Sequence, residues 1–96
     1  MERMPCVYIM TNAVRGTLYV GVTSALAGRV YQHREGLVDG FTKRYGLKRL
    51  VWHEVHESML VAIAHEKTLK RWKRAWKIEL IEALNPDWRD LYPDLA

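Results

Sequence analysis

The sequence predicts an α+β domain: a small three-stranded antiparallel sheet with two to three packed helices, in the order ββαβαα. Three observations predict it. Aromatic and β-branched residues alternate with period two from Cys6 to Met10 and again from Leu18 to Val22, which is the strand signal. A third alternating run spans about Lys48 to His56. Later stretches instead repeat their apolar residues at helical spacing. Strands and helices in these numbers suit one compact α+β domain, and 96 residues are the length of a single domain. That domain is expected to cover residues 1–96, with its core at about 6–85.

Residues 1–5 read as a loose end, and Pro5 precedes the first strand, where its missing donor does little harm. Ala13-Val14-Arg15-Gly16 separates the first two strands, and Gly16 is the residue expected to supply a positive φ in the hairpin loop. If the strands pair, Tyr8 and Tyr19 share a face. Thr23 or Ser24 is expected to cap a helix over about Ala25–Glu35. Leu26, Val30 and Leu37 form its apolar stripe, and Gly36 stops it. Gly28 costs that helix about 1 kcal/mol against alanine, with close packing on a strand as one compensation. Residues 37–47, with Gly40 and Gly46, read as a loop. In the third strand Val51, His53 and Val55 point one way and Leu50, Trp52 and Glu54 the other. Ser58 is expected to cap a helix from Met59 to about Trp72, with a stripe of Met59, Ala62, Ile63, Leu69 and Trp72. The pattern then continues, or restarts after a bend near Arg74, through Trp76, Leu80 and Leu84. Asn85-Pro86 closes it, because the residue before proline disfavours helix. Trp88, Leu91 and Tyr92 fold back over the core.

Hydrophobic residues make up 49% of the chain, enough for one core, and there is one cysteine. No internal disulfide can form, which suits a reducing compartment. No stretch approaches membrane-span length, and the N-terminus lacks a signal-peptide pattern. A soluble cytoplasmic protein, monomeric by default and without a membrane partner, is the expectation. The net charge is +4, and it is uneven. Lys67, Lys70, Arg71, Lys73, Arg74 and Lys77 crowd one stretch, while acidic residues dominate after Leu80. A basic surface of this kind suits either a polyanion, nucleic acid first, or a solvated helix face.

Some residues sit where their chemistry is costly. Glu66 lies three after Ile63 and three before Leu69, on the apolar stripe of its own helix. A carboxylate there needs a cation or an edge position open to water. Arg29 borders the first helix's stripe, and His33 follows one turn later on the same face. An anionic ligand or Glu66 would relieve their repulsion, and snorkelling to water would serve as well. The histidines do not read as zinc ligands, since His53 and His56 face opposite sides of a strand and no second cysteine exists. Cys6 reads as a small core residue. Trp72 and Trp76 could stack on bases, but core packing is the expectation.

Taken in order, these residues resemble the GIY-YIG nuclease superfamily, and most closely its small stand-alone bacterial members. The first motif aligns with Cys6-Val7-Tyr8 and the second with Tyr19-Val20-Gly21. Arg29, His33 and Glu66 match the family's arginine, histidine and metal-binding glutamate, and Asn85 matches its late asparagine. The opening glycine of the first motif is Cys6 here, and Val22 stands where some members carry lysine.

The resemblance implies metal-assisted hydrolysis of a phosphodiester in DNA, or alternatively RNA, structure-directed or weakly sequence-specific. Glu66 would hold one Mg²⁺ or Mn²⁺. Arg29 would steady charge on the phosphate oxygens. Tyr19 would take the proton from water, with Tyr8 orienting or sharing the role, and His33 would bind phosphate or relay a proton. Gly21 and Asn85 would support the site. Because a phenol titrates near pH ~10, a tyrosine base near pH ~7 must be favoured as phenolate by about 4 kcal/mol. Without a lysine at Val22, the cation expected to do this is Arg29, Lys43 or the metal. Lys43, Arg44, Lys67, Lys70, Arg71, Lys73 and Arg74 would grip the nucleic-acid backbone. The alternative is a binding module, weak or inactive in cleavage, using the same basic face.

Overall fold

The structure is a computed structural model that describes residues 4–95. Strands β1 (Cys6–Thr11) and β2 (Leu18–Thr23) form the hairpin. Helix α1 (Leu26–Arg34) follows, then a short helix α2 (Phe41–Arg44). Strand β3 (Arg49–Val55) leads to α3 (Met59–Arg71) and α4 (Arg74–Leu84), and a 3₁₀ turn spans Tyr92–Leu95. The sheet is antiparallel in the order β2-β1-β3, so β1 is central and its six residues are all buried.

Alternation along β1 builds two cores. Val7 and Ile9 pack with Val20, Val51, Trp52, Ala62, Leu69, Ile81 and Trp88 under α3 and α4. Tyr8 and Met10 pack on the other face with Val30, Leu47, Leu50 and Leu91. Helices therefore cover both faces of the sheet. The β1–β3 register shifts between Ile9 and Met10, where Ile9 pairs with Trp52 and Met10 with Leu50. The extra residue, Val51, is a bulge. It puts Val51 and Trp52 in the same core and breaks the strict alternation expected for this strand.

Several local expectations are corrected. The positive φ of the hairpin loop belongs to Arg15, at 54°. Gly16 is needed for closeness, because a Cβ there would collide with Asn12 Oδ1 and stand 3.0 Å from the Ala13 nitrogen. Helix α1 starts from Ala25 with no side-chain cap. Thr23 Oγ1 instead accepts from the Ala25 N–H at 3.0 Å, a local turn that leads into the helix. Gly36 does end α1, with φ 69°. Leu37 is exposed, and a Cβ on Gly28 would touch nothing, so that glycine serves no close packing. Residues 37–47 hold a helix rather than a plain loop.

Ser58 caps α3, its hydroxyl accepting from the Val61 N–H at 3.2 Å. Trp72 and Lys73 adopt extended ψ values of 148°, so α4 is a restart. Trp76 is about half exposed, contrary to the expected core position, whereas Trp88 and Leu91 do fold back and are buried. Of the expected loose end, residues 1–3 lie outside the described residues, and the Pro5 carbonyl accepts from the His56 N–H at 2.8 Å. No helix among the described residues is long and apolar enough to cross a membrane.

Candidate active site

The hairpin sets the two tyrosines. Tyr8 pairs with Gly21 and Met10 with Tyr19, so the two rings sit diagonally on one face, with centroids 6.3 Å apart. Tyr8 is 1% exposed, and its ring lies against Gly21. A Cβ at position 21 would stand 2.5 Å from Tyr8 Oη and 2.8 Å from Cε1, with Cζ nearer still. The glycine is what lets the ring lie there.

Helix α1 brings His33 to Tyr8. The ring is buried rather than snorkelling to water. Its Nε2 lies 2.8 Å from Tyr8 Oη and its Nδ1 2.9 Å from Thr42 Oγ1. Thr42, His33 and Tyr8 thus form a hydrogen-bonded chain from α2 to β1. Either Tyr8 donates to Nε2 and Nδ1 donates to Thr42, or both bonds run the other way. Burial, assisted by Arg29, holds the His33 pKa below its ordinary value, so the imidazole is neutral at pH ~7. Thr42 was not visible as a site residue in the sequence, because its segment read as a loop.

Burial also pushes the Tyr8 hydroxyl well above the ordinary tyrosine range. Tyr19 adds to the rise, the positive charge of Arg29 opposes it, and Glu66 raises it further. Tyr8 therefore stays protonated at neutral pH. Arg29 and Glu66, from different helices, both act electrostatically on this one phenol. Tyr19 by contrast is partly exposed.

Helix α3 passes β2, an edge strand of the sheet. Glu66 is mostly buried there, with a side chain 12% exposed, and Lys70 Nζ lies 3.0 Å from its Oε2. The same Nζ stands 5.8 Å from the Tyr19 ring centroid. Lys70 was named in the sequence only as a nucleic-acid contact; the structure makes it, one turn after Glu66, the partner of that carboxylate. It is a cation beside Tyr19 that the local pattern did not single out. Phe41 stacks on Tyr19 at 6.3 Å and 26°, and Tyr45 lies 4.8 Å from Phe41. Phe41 and Tyr45 are each about half exposed and line a shallow groove with Lys43 and Arg44.

The expected basic residues divide. Lys67, Arg71 and Lys73 are exposed. Lys43 pairs with the exposed Asp39 at 3.5 Å, and Arg44 lies over Tyr45. Arg74 is committed elsewhere: its guanidinium donates to the carbonyls of Arg15 and, at 2.8 Å, Gly16, tying the hairpin turn to α4. Asn85 is buried and holds the frame. Its Nδ2 donates to the carbonyls of Val51 at 3.2 Å and Arg89 at 2.8 Å, and its Oδ1 accepts from the Arg89 N–H at 3.1 Å.

A hard divalent ion takes oxygen ligands and keeps much of its water. Glu66 offers the right donor, and the position already favours a cation, since an ammonium group lies against it. The residues present fit such an ion.

The hairpin carries paired phenols, and α1 and α3 carry the guanidinium of Arg29 and the carboxylate of Glu66. The chain matches the family model described as the GIY-YIG catalytic domain over residues 4–79. It belongs to the GIY-YIG family, which is of nuclease type. Neither a curated protein nor a solved structure gives a significant match.

Proposed function

We propose that the protein is an endonuclease that hydrolyses phosphodiester bonds in DNA with the help of a divalent ion at Glu66. One observation carries this reading: the two hairpin phenols lie 6.3 Å apart on one face, and Lys70, which pairs with the mostly buried Glu66, stands 5.8 Å from the Tyr19 ring. A bound Mg²⁺ or Mn²⁺ would neutralise charge on the scissile phosphate and on the leaving oxygen. Arg29, exposed on α1, offers paired donors to the phosphate oxygens, where charge builds in the transition state. Tyr19, the more accessible phenol, takes the proton from the attacking water after giving up its own, and Lys70 stabilises the phenolate that this requires. Tyr8 keeps its proton and orients the site as a hydrogen-bonding group, positioned by His33. Both His33 nitrogens are engaged within the protein, so His33 acts through Tyr8 rather than on phosphate directly.

Lys67, Arg71, Lys73, Lys43 and Arg44 contact backbone phosphates, which confers affinity without sequence reading. The exposed Phe41 and Tyr45 rings, flanked by cations, suit stacking on an unpaired base. This favours branched, nicked or otherwise distorted DNA over intact duplex.

The test is cleavage of labelled duplex, flap and junction DNA, with and without Mg²⁺ or Mn²⁺, beside Glu66→Ala and Arg29→Ala. The expected result is metal-dependent cutting, strongest on the distorted substrates and abolished by both substitutions. Cutting that survives both refutes the assignment. Salt-dependent binding without cutting identifies a nucleic-acid binding module instead.

A further inference from the structure

Three more ligand-type side chains converge away from the tyrosines. Glu54 lies near the end of β3. His56 follows two residues later, just past the strand, where its N–H still bonds to Pro5, so both project from the same side. His65 comes from α3, next to Glu66 in sequence. One ligand atom from each of the three residues lies within 4.8 Å of the others. Glu54 Oε1 is 3.0 Å from His56 Nε2 and 3.4 Å from His65 Nε2, and the two imidazole rings are 4.9 Å apart. Tetrahedral Zn²⁺ with bonds of about 2.0–2.2 Å sets its ligand atoms roughly 3.3–3.6 Å apart, close to the two distances from Glu54.

The alternative is a plain histidine–carboxylate pair, and the geometry weighs against it. His56 Nε2 is buried and, despite its short distance to Glu54, is not aligned to share a hydrogen bond with it or with any other described group. Two ligand atoms that approach each other without aligning are expected when both point at a third atom. Glu54 is exposed and the His65 side chain is 32% exposed, so an ion can enter from solvent.

We propose that Glu54, His56 and His65 form a second metal site, for Zn²⁺ or a similar transition-metal ion, with water in the open position. Two imidazoles and one carboxylate suit such an ion and not Mg²⁺, which takes oxygen ligands. The ion joins the end of β3 to α3 at the residue before Glu66. Adjacent helical residues point about 100° apart, so His65 meets Glu54 of β3 while Glu66 pairs with Lys70. The site holds in register the helix that carries the candidate catalytic carboxylate. It stands whether or not the protein cleaves DNA.

The test uses the full chain carrying Glu66→Gln, which removes the carboxylate of the candidate active site, after chelator treatment. Co²⁺ is titrated and followed by its visible absorption, then displaced with Zn²⁺. The expected result is one Co²⁺ per chain with a four-coordinate spectrum, displacement by Zn²⁺ but not by Mg²⁺, and a higher melting temperature with Zn²⁺. His65→Ala, on the more exposed side of the cluster, should weaken binding by more than ~100-fold, beyond the effect of losing an outer-shell partner, with its circular dichroism unchanged. Glu54→Gln is the second variant. An absent Co²⁺ spectrum, or affinity undiminished in either folded variant, overturns the proposal.

Discussion

Replacing Gly21 with alanine puts a methyl group where the Tyr8 ring already lies. The new Cβ would stand 2.5 Å from Tyr8 Oη, against an ordinary contact of at least 3.4 Å. The ring must retreat by roughly 1 Å, and its 2.8 Å bond to His33 Nε2 cannot survive that. Overpacking of a tight core costs about 1–3 kcal/mol. Leaving a buried polar group unpaired costs about 1–3 kcal/mol more. Together these predict a loss of about 3 kcal/mol, a large share of the ~5–15 kcal/mol that holds a domain folded. At this chain length that lowers the melting temperature by about 15 °C. The assay is thermal unfolding followed by circular dichroism, run as a double-mutant cycle with Tyr8→Leu. Leucine lacks counterparts of Cζ, Oη and Cε1, so the clash disappears in that background. Gly21→Ala should therefore cost about 2 kcal/mol less there than beside the native tyrosine. Equal costs in both backgrounds would refute the account of why glycine occupies this position.

Further consequences concern the surrounding groups. Lys70→Met is expected to lower DNA cleavage at neutral pH by about 10–100-fold, or ~1.4–2.7 kcal/mol, while Lys70→Arg keeps most of it; unchanged turnover in the methionine variant would remove Lys70 from the site. His33 has a native pKa below its ordinary 6.5, so between those two values the unfolded chain binds more protons than the native one, and stability falls as pH drops through that window. Denaturant titrations at a series of pH values should show this slope reduced in His33→Asn, with His53, depressed by burial as well, supplying what remains. Arg74→Ala should cost about 1 kcal/mol of stability through the two carbonyls it releases, yet leave the salt dependence of DNA binding unchanged. Arg71→Ala should do the reverse, lowering the slope of log K against log salt by ~0.9 for each phosphate it no longer neutralises.

Much of the site was legible because it depends on short-range patterns. Period two gave the hairpin and put Tyr8 and Tyr19 on one face, and Ser58 and Asn85 marked the ends of helices. Glu66 was conspicuous because a carboxylate on an apolar stripe demands a partner. The partner could not be chosen from the sequence, where several cations lay within reach; the structure pairs it with Lys70. Thr42 and Phe41 were hidden because the four residues of α2 are too few to show a helical period. The Glu54–His56–His65 cluster was missed for a different reason. Scanning the strand alone compares His53 with His56, which do face apart, and the third ligand comes from another element.

The sequence by itself determined the order of the main elements and the α+β class, since these follow from local periodicity, and its ordered motifs carried the resemblance to the GIY-YIG family. Only the tertiary structure decided which of their residues meet. The bulge at Val51 reset the register of β3, α3 crossed to the edge strand, and burial separated two like phenols into one that keeps its proton and one open to water. Such outcomes depend on distances across the fold and on exclusion of solvent, which no local pattern records.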